Sequence, residues 1–353
     1  MSLNKPIPVA LIGVTGYTGM ELTRLLTRHP EFELSLVTSR QEAGQRLDSI
    51  YPQLMGEKPG SLIVEAPSAE KIARNCTLAF LAVPHGTAMD IAADLLSRKV
   101  KVVDFSADFR LQEAHVYKQW YGLEHRHQEL LSKAVYGLIE LFEQQVRSAS
   151  LVANPGCYPS SVILALYPAL AAELINPQQI IVDSKSGTSG AGRKASTGNL
   201  FCEVYDNFRA YNPGKHRHTP EIEQELSRIC GQELNVSFNP HLLPIDRGIL
   251  STIYTVCRDD LEEDRIRAIY EDYYSRHPWV RVLPQGVLPQ TRWVRGSMYC
   301  DIGLVRDTRS DRLIIISAID NLCRGASGQA LANANLMCGL NLKAGLELTP
   351  LMP

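Results

Sequence analysis

The stretch IPVALIGVTGYTGMELTRLLTRHP, residues 7–30, constrains the fold of this chain more than any other. An apolar run ends in a glycine-rich turn, which opens into a segment with Leu22, Leu25 and Leu26 on one side of a helix. FELSLVTSR follows as a second strand; CTLAFLAVP and VKVVDFS are two more, separated by the helix-like GTAMDIAADLLSRK. Such alternation predicts a parallel sheet wound with helices, and strands that are apolar without a break predict burial on both faces. Residues 1–154 are therefore expected to form a Rossmann-type α/β domain.

The rest has a different texture. IIVDSKSG, LSTIYTVC, GSMYCDIGLV and RLIIISAI read as strands with fewer helices between them, and irregular stretches fill 187–220 and 283–296. That predicts an α+β domain with a mixed or mainly antiparallel sheet over 155–325. GASGQALANANLMCGL spaces Ala330, Ala334 and Met337 as a helix does, so residues 326–353 are expected to return a helix to the first domain. Two domains suit a chain of 353 residues, too long for one ordinary core. A formal net charge of −2 gives no reason to expect nucleic acid or an anionic membrane as partner. No apolar run approaches the roughly 18 residues of a spanning helix. The start does not read as a signal peptide, and the eight cysteines are scattered without a C-x-x-C pair. Neither a disulfide framework nor a zinc finger is expected, and a reducing cytoplasm is the expected setting.

Four stretches carry possible chemistry. In GVTGYTG, Gly13, Gly16 and Gly19 sit between a strand and a helix, where free N–H groups and the helix dipole suit a pyrophosphate. The second strand ends in Ser39 and Arg40 rather than an acidic residue, which suits a 2′-phosphate and so NADP(H) over NAD(H). In ANPGCYPSS, Cys157 falls at a helix start, a position that favours thiolate. In KHRHTPEI, Thr219-Pro220 reads as N-cap and first helical residue, with His216 and His218 just before it and Glu221 placed to orient a ring. The loop DSKSGTSGAGR, with Lys185, Ser186, Gly187, Ser189 and Gly190, and the end of DFSADFR at Arg110 are further candidates for holding a ligand. Taken singly each has a plainer reading: a tight turn, a solvated arginine, a buried small hydrophobe, loop histidines, a connector, a structural salt bridge.

Together GVTGYTG, DFSADFR, NPGCYP, SKSGTSGAGR, YNPGKHRHTPEI, PHLLPIDRGIL and DNLCRGASGQALANANLM resemble the semialdehyde dehydrogenase family, and within it the arginine-pathway branch. They cover essentially the whole chain in the family's order, and NPGCYP with HRHTPEI is the specific part. The resemblance implies NADPH-dependent reduction of an acyl phosphate, N-acetyl-gamma-glutamyl phosphate, to an aldehyde with release of phosphate through a thioester on Cys157. His218 would be the acid/base, with His216 the second choice. Cofactor contacts would also include Thr15, Tyr17, Thr18, Pro84 and Asn321; substrate contacts would be Ser106, Arg110, Asn154 and Lys185. The 155–325 domain would be catalytic and oligomerising, in a homodimer or homotetramer without a metal. Reduction of another acyl phosphate, aspartyl or carrier-linked, and a non-catalytic NADP(H) sensor stand as alternatives.

Overall fold

The computed structural model describes residues 5–258 and 261–352. These divide into two compact units: one runs up to Pro155 and takes back Ala326–Glu347, the other comprises Gly156–Gly325 and the residues from Leu348 onward. The tail is therefore not a single piece. Its helix belongs to the first unit, while the last residues group with the second.

The first unit is built on an all-parallel sheet of β1 (Ile7–Ile12), β2 (Phe32–Thr38), β3 (Val64–Glu65), β4 (Leu78–Leu81), β5 (Lys101–Asp104), β6 (Val135–Tyr136) and β7 (Leu151–Ala153). Their spatial order is β3-β2-β1-β4-β5-β7-β6, so the winding reverses between β1 and β4, where doubly wound sheets open a crevice at the strands' carboxyl ends. The central strands are apolar throughout because helices cover both faces: Val9, Leu11, Phe80 and Val103 are fully buried. The returning helix, Gly328–Met337, is buried on every side despite three amides. Each amide nitrogen is matched: Gln329 donates to the Gly137 carbonyl, Asn333 to Gly137 and Asn154, and Asn335 to Leu342 and Ala344, while the Gln329 and Asn333 amide oxygens have no partner among the described residues.

The second unit carries a mixed sheet of β8 (Ile181–Gly187), β9 (Arg209–Ala210), β10 (Ser237–Leu243), β11 (Ile249–Val256), β12 (Val280–Val282), β13 (Cys300–Asp307) and β14 (Arg312–Ile319), in the order β12-β13-β14-β11-β8-β10-β9. β10 runs parallel to β8 and β12 parallel to β13; the remaining pairs are antiparallel. The helix Cys157–Ala171 packs on β11 and β14. Under it, fully buried hydroxyls form a chain: Ser161 to Ser251 at 2.8 Å, Ser161 to Ser317 at 2.7 Å, Ser184 to Ser251 at 2.7 Å. Pro168 removes an N–H from this helix, and the Tyr274 and Tyr270 hydroxyls donate to the Leu164 and Ala165 carbonyls one turn back. The period-2 alternation turns the neighbours Lys185, Leu250 and Ile316 to the other face of the sheet, where they are half-buried.

Candidate active site

The glycine turn lies at the carboxyl end of β1, and its three glycines have three different reasons to be there. Gly13 has φ +89°, and a β-carbon on it would fall 2.2 Å from the Ala82 carbonyl oxygen. One on Gly19 would come within 2.6 Å of the Gly13 oxygen, so these two make the turn tight. A β-carbon on Gly16 would meet nothing closer than 3.9 Å, so its open side faces free space. Gly16 is also the N-cap of the Tyr17–Leu26 helix, which no side chain caps. An uncapped helix start beside an open glycine fits a pyrophosphate. Thr15 and Thr18 flank it: the Thr15 hydroxyl lies 3.5 Å from the Ser39 hydroxyl, and the Thr18 carbonyl accepts from Ser327. Arg40 is exposed just beyond β2 and makes no ion pair among the described residues. Pro84 is exposed beyond the end of β4.

After β5 the chain folds into a buried carboxylate cluster that the sequence showed only in part. Asp108 accepts from the Gly86 and Ala88 N–H groups at 2.7 and 3.0 Å, holding the start of the Ala88–Ser97 helix, and from the Tyr117 hydroxyl at 2.7 Å. Burial, then the charge of Asp108, pushes the Asp104 carboxyl up to about 7. Three residues expected to touch substrate have hydrogen-bond partners here. Ser106 donates to Asp104 at 2.7 Å and accepts from the Asp108 N–H. Arg110 donates through Nε to the Asn154 carbonyl at 2.8 Å and through Nη2 to the Phe105 carbonyl at 2.7 Å. Asn154 donates its amide to the Ala326 carbonyl and accepts from Asn333, both at 3.1 Å. These contacts brace the segment leading to Cys157.

Cys157 is the first residue of its helix and Gly156 the N-cap. Glu221, 1% exposed, accepts the Gly156 N–H at 2.8 Å, so the structure uses this carboxylate to anchor the thiol helix. The helix that supplies it spans Thr219–Cys230 and has His218, not Thr219, as its N-cap; Thr219 and Pro220 are its first two residues. The shift arises because the His218 carbonyl already accepts the Ile222 N–H. His216 accepts the His218 N–H on Nδ1 at 3.1 Å, which leaves Nε2 to carry the proton of the neutral ring. The two imidazoles lie 4.9 Å apart, and His216 is enclosed by the rings of Tyr158, Tyr211 and Phe238. Burial, with a contribution from Arg217, pushes the His216 imidazole down to about 4. The Tyr158 and Tyr211 hydroxyls are 2.9 Å apart, and both phenols are pushed up by burial and by the nearby charge of Cys157.

The SGTSG loop is fastened rather than free. Gly187 lies against Asp246 and Arg247, where a β-carbon would fall 2.8 Å from backbone atoms. The Thr188 and Ser189 N–H groups donate to the Ile245 and Asp246 carbonyls. Asn321 joins this loop to the next, donating to the Ser189 hydroxyl at 2.9 Å and accepting the Gly248 N–H at 2.7 Å. Ser186 is buried and donates to the Gly187 carbonyl; Gly190 is exposed. Lys185 pairs with Asp183 at 2.6 Å on the sheet face turned away from the thiol helix, so the structure does not bring it to Cys157. Residues 245–248, Tyr158, Tyr211 and Gly325 were not singled out from sequence. Tyr158 beside the thiol and Tyr211 five residues before His216 were legible by position; Gly325 was not.

An uncapped phosphate turn on a doubly wound sheet defines a nucleotide-binding dehydrogenase class for the first unit, and the second unit carries a thiol at a helix start and two histidines. The family descriptions agree: "Semialdehyde dehydrogenase, NAD binding domain" matches residues 8–149 and "Semialdehyde dehydrogenase, dimerisation domain" matches residues 157–321. The chain belongs to the semialdehyde dehydrogenase family. Its full-length relatives are N-acetyl-gamma-glutamyl-phosphate reductases: it is 54% identical to that of Desulfotalea psychrophila (98% of this chain, 100% of the relative) and 51% identical to that of Pelotomaculum thermopropionicum (98% and 99%). In fold it is similar to aspartate semialdehyde dehydrogenase II of Vibrio cholerae (TM-score 0.73, 15% identity, 95% of this chain and 99% of that one). The Candida albicans aspartate semialdehyde dehydrogenase with NADP is similar too (TM-score 0.68, 18% identity, 97% and 99%). No helix among the described residues is long and apolar enough to cross a membrane, and no group of three metal-binding side chains occurs among them.

Proposed function

We propose that this chain reduces N-acetyl-gamma-glutamyl phosphate with NADPH to N-acetylglutamate 5-semialdehyde and phosphate, in the cytoplasm and as a homodimer or homotetramer. The observation that carries the reading is the position of Cys157 as first residue of a helix beside Tyr158, whose ring meets those of His216 and His218. Full-length relatives of about half identical sequence named for that reaction support it.

The Cys157 thiolate attacks the acyl carbon; the C–S bond forms as the C–O bond to phosphate breaks, and phosphate leaves with the electron pair. The helix N-terminus favours negative charge at this position. The Gly13–Gly19 turn would hold NADPH, with Ser39 and Arg40 for its 2′-phosphate, and the bound cofactor would be the hydride source for the thioester carbon. His218 gives a proton to the oxygen that becomes negative, then takes it back as the C–S bond breaks and the aldehyde forms. His216, neutral at pH 7, offers a fixed Nε2–H to the substrate. Ser106, Arg110 and Asn154, expected to contact the substrate, also hold backbone near the thiol segment, and Glu221 holds the Gly156 N–H.

The test is to mix enzyme and acyl phosphate without NADPH and to map the adduct by mass spectrometry. One acyl group on Cys157, discharged as aldehyde on adding NADPH, is expected. An adduct on another cysteine, or NADPH oxidation without any adduct, overturns the reading.

A further inference from the structure

We propose, as an extension that rests on the acyl-phosphate reading, that Asp104 is a positioning residue whose proton governs anion binding at the Arg110 loop. A phosphoryl dianion and one proton are then bound together. Asp104 ends β5 and Asp108 follows four residues on; both are fully buried. The loop between and after them, FSADFR, has Arg110 as its one cation, with Nε and Nη2 on the Asn154 and Phe105 carbonyls. Two buried carboxyls beside one guanidinium leave an excess of negative charge away from water, so one of them gains by holding a proton.

Ser106 decides which one. With Asp104 ionised, its Oδ1 accepts the Ser106 N–H at 3.0 Å and its Oδ2 accepts the Ser106 hydroxyl at 2.7 Å. The same hydroxyl accepts the Asp108 N–H at 3.1 Å. With Asp104 neutral, the 2.7 Å contact runs in reverse: the carboxylic O–H donates to Ser106, and the Ser106 hydrogen is released. No heavy atom has to move. Asp108 lacks this freedom, because two of its three donors, Gly86 and Ala88, are backbone N–H groups that cannot turn round. Burial and the charge of Asp108 push the Asp104 carboxyl up to about 7, against the pull of Ser106 and Arg110.

The charged and titratable groups around Asp104 are few. Its own loop supplies Asp108 and Arg110, and the helix Ala114–Tyr121 supplies the Tyr117 phenol. His85, beyond β4, accepts the Ala107 N–H on Nδ1 at 3.0 Å, and His125 reaches the Asp108 carbonyl through Nε2 at 2.7 Å. The helix Ala88–Ser97 keeps Asp90 and Asp94 in water, and the helix Gly328–Met337, which packs on β5, carries no charge. A dianion brought to Arg110 raises the proton affinity of Asp104 further. By linkage the proton raises the affinity for the dianion, which therefore falls as pH rises through and above 7.

Inorganic sulfate, a dianion that does not itself titrate near neutrality, is the probe, with NADP+ in excess to fill the cofactor turn. Calorimetry of wild type at pH 7.5, in two buffers of different ionisation enthalpy, should show about half a proton taken up per sulfate. Affinity should drop about tenfold from pH 6 to pH 9. Infrared difference spectra should show sulfate strengthening a neutral-carboxyl band. Asp104→Asn, whose amide repeats the neutral pattern toward Ser106, should bind sulfate equally at every pH, without proton uptake or that band, and should hold NADP+ as wild type does. Arg110→Ala should lose the sulfate response. The proposal is overturned if wild type takes up no proton, if the pH dependence survives in Asp104→Asn, or if Arg110→Ala responds as wild type does. Proton uptake in an enzyme that forms no adduct on Cys157 would remove the acyl-phosphate reading and leave the linkage standing.

Discussion

Gly325 lies so close to Cys157 that a β-carbon on the glycine would stand 2.8 Å from Cβ of the cysteine. Both sides are tied down by hydrogen bonds. The Gly325 N–H donates to the Asp320 carbonyl at 2.9 Å, and Asp320 itself is fixed by the Gly296, Leu322 and Cys323 N–H groups and by Arg247. On the other side Gly156 is held by Glu221. Gly325→Ala should therefore displace the thiol by a few tenths of an ångström rather than unfold the unit. A loss in kcat of about 10- to 100-fold, with NADPH affinity unchanged, is the expected result, since misplacement near 1 Å costs about 10². Stopped-flow acylation and NADPH titration of the same variant check it.

The two histidines should separate in their pH profiles. His218→Asn should lower kcat by about 10²–10⁴, the usual share of general acid–base catalysis, and remove one limb of the profile. His216→Asn should leave both limbs in place, because the His216 imidazole is pushed down to about 4 and does not titrate near neutrality; its effect should fall on KM for the acyl phosphate. Profiles with the two outcomes exchanged would reverse the assignment.

Arg40 stands exposed beyond β2 without an ion-pair partner among the described residues, as a residue kept for a ligand phosphate would. Arg40→Ala should weaken NADPH by about 1.5–3 kcal/mol, the range for hydrogen bonds to charged groups, and NADH hardly at all. Fluorescence titration with both nucleotides decides it; equal losses would remove Arg40 from 2′-phosphate recognition.

Much of this arrangement was legible because local patterns and the fold agree. β1, its turn and its helix are readable from an unbroken apolar run, three glycines and the Leu22–Leu26 stripe. β10 was not, since SFNPHLL carries Pro240, which by itself argues against a strand. β3, β6 and β7 have two or three residues each and leave no periodicity to read. At the site, the types of residue were visible but not their partners. Asn154 and Arg110 look like ligand groups in sequence, and their hydrogen bonds to the Ala326 and Asn154 carbonyls come from tertiary contacts. Lys185 lies on the sheet face opposite Ser184 for a simpler reason. It follows Ser184, which faces the thiol helix, and in a strand the next side chain points the opposite way.

Glu225 gives a stability prediction with a definite sign. It lies one turn beyond Glu221 and is fully buried, its Oε1 accepting from Gln224 at 2.7 Å and its Oε2 without a partner among the described residues. Burial, and to a lesser degree the charge of Glu221, raises its carboxyl from 4.5 to about 7, while Gln224 and Arg228 act the other way. A raised pKa means that the folded chain holds this proton more tightly than the unfolded chain does. The resulting stabilisation is complete below 4.5 and is lost as pH rises through about 7. Glu225→Gln keeps the shape and removes the titration. Relative to wild type the variant should gain stability at pH 8, by up to roughly 3 kcal/mol for a shift of this size, and the gain should shrink steadily toward pH 5. Urea unfolding of both proteins at the two pH values measures it. A difference of the same size at both would mean that Glu225 does not exchange its proton in this range.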